Sequence, residues 1–393
     1  MKAAQRHCLI ILTSICFLLF CSSVVQAEPS SEVFSMQDAM KYLDIDTLEA
    51  YKGHLDEEIS AGLEIKSARE WLGEFAQGNW KLEIKELGQS ILRLFFREVV
   101  ANSGLLGKLI ILSVLSALLL NLQNAFSKSV SKISYLATFL ALSAIALGSF
   151  KVALSIAQET ITSMVTFMTA MLPQMMVLVA GLGGINTSVM LFPLLMSAAT
   201  FCAGAIKDVV FPLILMAVIL SLLNQMSETV KVERLAKVMG RVAQIALGFF
   251  LTIFVGIATL RAVYASVLDN VTLRTTRFIT DNAVPLVGKM VGDTIEVAAG
   301  YVVMLKHAVS IYGVLIILGI ILLPLIKIAV MVIIYKIVAA IVEPMGDART
   351  AAVLDTMSSY LAMILAATAG VALMFFFMIA IIAGMSNGLS MLR

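Results

Sequence analysis

Ionisable side chains are rare in the apolar parts of this 393-residue chain, and those few are where chemistry would concentrate. Lys151, Lys207, Asp208, Lys327 and Lys336 each interrupt an apolar run. At bilayer depth such a charge costs about 2.5–3.5 kcal/mol on insertion scales unless it reaches water, a partner or the interface. Lys327 is the leading candidate for a cavity-facing cation, because it lies just past Pro324 in otherwise apolar sequence. Lys207-Asp208 falls between two apolar runs and reads as a solvated hairpin turn. Lys336 and Glu343 are two helical turns apart, so they share a face and either pair or sit at the interface. Catalytic spacings are missing: the chain has no HExxH, GxSxG, P-loop or CxxC, and His54 and His307 lack metal-ligand spacing. The expectation is a protein that is not an enzyme, with no catalytic residues, no metal site and no cofactor.

The second set of informative residues acts through the backbone. Pro212-Leu-Ile-Leu-Met-Ala-Val and Pro324-Leu-Ile-Lys-Ile-Ala-Val are two copies of one pattern, PLIxxAV. Pro173 and Pro285 stand at equal distances upstream of the two copies. Pro173 leads into Gly181, Gly183 and Gly184, and Pro285 leads into Gly288 and Gly292. Proline removes a backbone donor, and glycine permits tight turns or close helix approach. Two readings stand: kinks with close packing, or discontinuous helices that line a central site or pore. An internal duplication is expected, with copy 1 at 161–263 and copy 2 at 273–385.

What must hold these residues is a membrane. The chain is 60% hydrophobic and 14% charged, with a mean hydropathy of +0.98; soluble domains are about 45–50% apolar and about 25% charged. Apolar runs suited to spanning occur at 104–123, 133–157, 161–181, 188–206, 209–225, 242–263, 308–341 and 358–385. The first two, within 104–160, precede the duplicated part. The run 308–341 is too long for one upright helix, and Gly319 and Pro324 suggest a broken or hairpinned pair. Residues 284–305 are ambiguous, since Lys289, Asp293 and Glu296 interrupt them.

Ahead of the membrane part lies a polar one. Residues 1–27 read as a signal peptide: Lys2 and Arg6, an apolar stretch from Cys8 to Cys21, then Val25-Gln26-Ala27 with cleavage between Ala27 and Glu28. Residues 28–103 carry 15 Asp/Glu against 8 Lys/Arg, whereas 104–393 carry 11 against 18. The charge balance is therefore that of an acidic extracytoplasmic region on a basic membrane module, and not one suited to nucleic acid. Ser67-Ala68-Arg69-Glu70 is a capping-box sequence that starts a helix before Trp71. From Trp80, the apolar residues Ile84, Leu87, Ile91, Phe95 and Val99 define one helical face, which either packs on its own domain or lies on lipid. Lys128 and Lys132, then Lys231, Arg234, Lys237 and Arg241, fall in loops that the span count places in the cytoplasm, as the positive-inside rule expects.

The order of these features resembles the stage III sporulation protein AE family of endospore-forming bacilli, over essentially the whole chain. The residues that carry the resemblance are Ile91-Leu92-Arg93-Leu94-Phe95-Phe96-Arg97-Glu98, the Leu172-Pro173 and Val284-Pro285 elements, and the helices of Pro212 and Pro324. It implies an all-α polytopic protein of the mother-cell membrane around the forespore, with residues 28–103 extracytoplasmic. Its implied partners are the other stage III A proteins, including a separate ATPase and ring-forming proteins, a forespore membrane partner reached through the complex, and membrane lipids. The implied role is a channel or export-platform subunit that supports late forespore gene expression. Two other functions fit the residues: a self-contained secondary transporter of a small solute, and a scaffold without a conduit.

Overall fold

The structure, a computed structural model, describes residues 45–53, 66–77, 84–122, 128–182, 187–226, 231–283 and 288–384. All of them fall in one unit, Met36–Arg393. The proposed cleavage site at Ala27 and Glu28 lies outside the described residues, as do Gly183, Gly184 and Pro285. Everything described is helix or short connection. The helices are α1 (Ile45–Gly53), α2 (Ala68–Ala76), α3 (Ile84–Ala101), α4 (Ser103–Leu122), α5 (Lys128–Gly181), α6 (Phe192–Ala205), α7 (Phe211–Met226), α8 (Glu233–Ala283), α9 (Gly288–Val342) and α10 (Ala348–Gly384).

Among the described residues, six helical stretches are long and apolar enough to cross a membrane: Ser103–Asn121, Leu136–Gly181, Ser188–Met226, Glu233–Leu260, Gly300–Met345 and Ala348–Gly384. The sequence-based segmentation is finer than this. The runs 133–157 and 161–181 are one helix, α5, so the expected boundary between 160 and 161 falls inside it. Gln158 and Glu159 interrupt hydropathy there, but polar side chains do not interrupt backbone hydrogen bonding. The run 308–341 is likewise neither broken nor hairpinned, because α9 continues through Gly319 and Pro324 and takes in the ambiguous stretch from Gly288 onward.

Lys207-Asp208 is also not a turn. It sits in a five-residue π-helical segment, Ile206–Val210, that joins α6 to α7 in one continuous run. A second π segment, Thr187–Leu191, precedes α6. Each π segment is followed at once by a Phe-Pro pair, Phe192-Pro193 and Phe211-Pro212. A proline lacks the N–H that an α-helix needs, and its ring crowds the carbonyl four residues back. Widening the preceding turn relieves that crowding without breaking the rod: the Phe211 amide donates to the Ile206 carbonyl, five residues back. Pro173 and Pro324 have no such widening and sit within α5 and α9.

Long antiparallel pairing organises the bundle. The α6–α7 rod packs along α8, and α9 packs along α10, with α5 and α4 against the second hairpin. Register in the α9–α10 pair is set by the Ser358 hydroxyl, which donates to the Val332 carbonyl (3.1 Å), and by the Lys336–Asp355 ion pair. Lys336 therefore pairs across the hairpin and not with Glu343. The turn between these helices, Glu343–Met345 and then Gly346, is gripped by α4. Gly346 has φ 90°, a left-handed conformation that favours glycine, and Asn121 Nδ2 donates to the Met345 carbonyl (3.2 Å).

Asp347 then caps α10 from a fully buried position. Its carboxylate accepts from the Thr350 amide (3.0 Å), the Thr350 hydroxyl (2.6 Å) and the Ser116 hydroxyl of α4 (2.6 Å). A capping carboxylate that also receives a hydroxyl from another helix fixes the depth of α4 against the hairpin.

On the first half of α9 sits the polar N-terminal region. Ser67 and Glu70 form the expected capping box: the Glu70 amide donates to Ser67 Oγ (3.2 Å) and the Ser67 amide to Glu70 Oε2 (3.3 Å). The box aims α2 so that Ala68, Trp71 and Leu72 are buried. Trp71 Nε1 donates to the Ala308 carbonyl (3.1 Å), and its ring lies 6.4 Å from that of Tyr312. Helix α3 packs on α9 as well. Its Leu94 is buried while Leu92, Phe96 and Val100 form an open apolar strip beside the entry to α4. The face read from the sequence is half-buried at Ile91, Phe95 and Val99, and the exposed strip lies beside it.

Candidate functional site

Among the described residues, the proline and glycine positions singled out by the sequence do not converge. Gly181 ends α5, where a Cβ would lie 3.9 Å from Val302 of α9. Pro324 lies about 33 Å beyond Val302 along α9, at a rise of about 1.5 Å per residue. Lys207 Nζ meets Thr162 Oγ1 at 3.3 Å. That contact levels the α6–α7 rod with α5 and puts Pro212 and Pro173 about 24 Å apart along the bundle axis. Gly288 and Gly292 lie at the start of α9. Pro173, Gly181 and Pro212 are exposed, and Pro324 and Lys327 are half-buried. This spread does not make one midplane site of the kind a self-contained transporter needs.

What the fold does assemble is a polar face on α5. The inward side of that helix is mainly apolar: Phe150, Ala153, Leu154, Ala157, Ile161, Met164, Phe167 and Met168 are buried, together with Thr160, whose hydroxyl donates to the Ile156 carbonyl (2.7 Å). It packs closely on α9, where a Cβ at Gly313 would crowd against Met171 Cε, and where the Tyr335 hydroxyl meets both Ser149 Oγ and the Ala146 carbonyl. The outward side is the reverse. From 151 to 169 the exposed residues are Lys151, Val152, Ser155, Glu159, Thr162, Ser163, Thr166 and Thr169, of which Val152 alone is apolar.

Hydrogen bonding orders this face. Ser155 Oγ donates to Glu159 Oε1 (3.0 Å). The hydroxyls of Thr162, Thr166 and Thr169 donate to carbonyls one turn back, at 2.9, 2.9 and 2.8 Å. Their protons are directed at the backbone, so the oxygens face outward as acceptors. Lys207 adds a cation from the neighbouring rod. Sequence reasoning noted Lys151 and Lys207 but missed the face, because exposed Thr at helical spacing looks ordinary until the buried side of the helix is known.

The sequence profile of the stage III sporulation protein AE family matches residues 66–386. The chain belongs to this family. It is 36% identical over 333 residues to stage III sporulation protein AE of Bacillus subtilis (strain 168), covering 84% of each chain. No solved structure matches it. The matched region begins at the docked helix α2 and ends beyond α10, so family membership covers the helical assembly from α2 onward.

Proposed function

We propose that the chain is a multi-pass subunit of a complex between mother cell and forespore, and that it supplies that complex with its membrane conduit or export platform. Family membership and the six apolar stretches support the sporulation and membrane parts of this reading. The observation that carries the rest is the polarity of the bundle. Helices α2 and α3 are held on the first half of α9, away from the 343–347 turn, and α10, antiparallel to α9, ends on their side. Lys231, Arg234, Lys237 and Arg241 lie near the start of α8, at the turn end. Basic residues favour the cytoplasmic side, so α2, α3 and the end of α10 face the space between the two membranes.

In this reading the N-terminal region offers its open surface to ring-forming partners and through them to the forespore membrane, while a separate ATPase acts from the cytoplasmic side. Merging two pairs of apolar runs into single helices leaves the parity of the span count unchanged, which supports reading 226–241 as cytoplasmic. The two hairpins, 187–283 and 288–384, each hold one copy of PLIxxAV in a long apolar helix, which supports a duplicated origin.

The test uses tagged chain recovered from sporulating cells after mild cross-linking. Full-length chain should bring down the ring-forming partners, and a membrane-inserted chain lacking 28–103 should not. Partner retention by the shortened chain refutes the recruiting role. Normal late forespore reporter expression in cells without the chain refutes the reading as a whole.

A further inference from the structure

We propose that the outward face of α5 from Lys151 to Thr169 is the wall of a water-filled path, completed by further copies of this chain facing one another across it. The proposal rests on the conduit reading above and deepens it by naming the lining.

The argument starts from depth. The apolar stretch Leu136–Gly181 is 46 residues, about 69 Å of helix, against a hydrocarbon core of about 30 Å. A window of about 20 residues that starts between Leu140 and Lys151 brings both Lys151 and Glu159 to bilayer depth, and windows that start earlier or later in the stretch still hold at least two exposed polar residues. A helix that meets lipid should carry its apolar residues outward. The outward positions of α4 (Ile111, Leu115, Leu118) and α7 (Met216, Leu223) do so. Between 151 and 169 helix α5 does the opposite, with Phe and Met inward and Lys, Glu, Ser and Thr outward, whereas its outward residues before 151, such as Leu136 and Leu140, are apolar. Back-bonded threonines alone are tolerable in lipid, but Lys151 and Glu159 on the same face are expensive there. Water on this face removes the cost.

One chain walls only one side of such a path, and copies related by rotation about the membrane normal supply the rest. Lys151 and Glu159 then form rings of opposite sign about 12 Å apart in depth, with Lys207 beside Thr162, and water between the copies screens each ring. The apolar outward sides of α4 and α7 then remain for lipid. Outward hydroxyl oxygens and charges suit hydrated polar solutes.

The test places single cysteines in a Cys202→Ser background, in membranes from sporulating cells. Ser155→Cys, Thr162→Cys, Thr166→Cys and Thr169→Cys probe the face; Leu115→Cys and Met216→Cys probe the lipid side. A membrane-impermeant methanethiosulfonate should modify the first group about tenfold faster or more, since the reactive thiolate forms in water and not in hydrocarbon. A bis-maleimide should yield dimers of this chain from at least one face position. Labelling as slow as at Leu115→Cys and Met216→Cys overturns the water-facing wall. Labelling without cross-linked dimers at any face position overturns closure by copies. If the face labels and cross-links, yet bulky maleimides on it leave late forespore reporter expression unchanged, the conduit reading itself fails.

Discussion

Replacing Asp347 should uncouple α4 from the α9–α10 hairpin. Its carboxylate is the acceptor for the Thr350 amide, the Thr350 hydroxyl and the Ser116 hydroxyl, all in a buried site. Asp347→Ala removes an N-cap, which costs about 0.5–2 kcal/mol. It also leaves the Ser116 hydroxyl without this acceptor, where an unmet buried donor costs about 1–3 kcal/mol. Ser116 Oγ and Thr350 Oγ1 lie 3.3 Å apart and recover part of that by bonding each other. The net loss is about 2–4 kcal/mol. Asp347→Asn keeps an oxygen for the Thr350 amide and should lose about 1 kcal/mol. Ser116→Ala should fall in the same lower range, and the pair Ser116→Ala with Asp347→Ala should be less damaging than the sum of the singles. Thermal unfolding of the detergent-solubilised protein, followed by loss of the monodisperse chromatographic peak, measures the order. The reasoning is refuted if Asp347→Ala melts with the parent protein, or if the two changes add fully.

Two further outcomes follow from the packing. Gly346→Ala places a side chain in the left-handed region at φ 90° and should cost about 1–2 kcal/mol on the same melting assay, whereas an unchanged transition would mean the turn relaxes freely. Trp71→Ala removes the hydrogen bond to Ala308 and the ring contact with Tyr312, a truncation that costs about 3–5 kcal/mol at well-packed sites. Limited proteolysis should then cut the N-terminal region while α5–α10 stay protected, and equal protection in both proteins would remove α2 from its docked position.

The sequence made some of this legible for simple reasons. Ser67 and Glu70 specify their capping box locally, because both hydrogen bonds close within one turn. Long apolar runs identify membrane helices because lipid offers the backbone no other partners. Helix continuity was not legible. Charge pairs such as Lys207-Asp208 and prolines such as Pro324 look like punctuation, yet a π turn absorbs Pro212 and an uninterrupted helix absorbs Pro324. The partner of Lys336 was equally hidden, since Asp355 comes within reach only once α10 folds back along α9.

By itself, then, the sequence determined that the chain is helical, membrane-embedded, polarised in charge and of a recognisable family, because those properties sum over many residues or close within a few. The tertiary structure decided which side of each helix is buried. From Lys151 to Thr169 of α5 every turn mixes apolar and polar residues, and only packing against α9 and α10 turns Phe150, Met164 and Phe167 inward and leaves Lys151, Glu159 and Thr166 facing out. A helical face becomes an inside or an outside only when a neighbour arrives. That is why the candidate surface lies along α5 and not at the prolines.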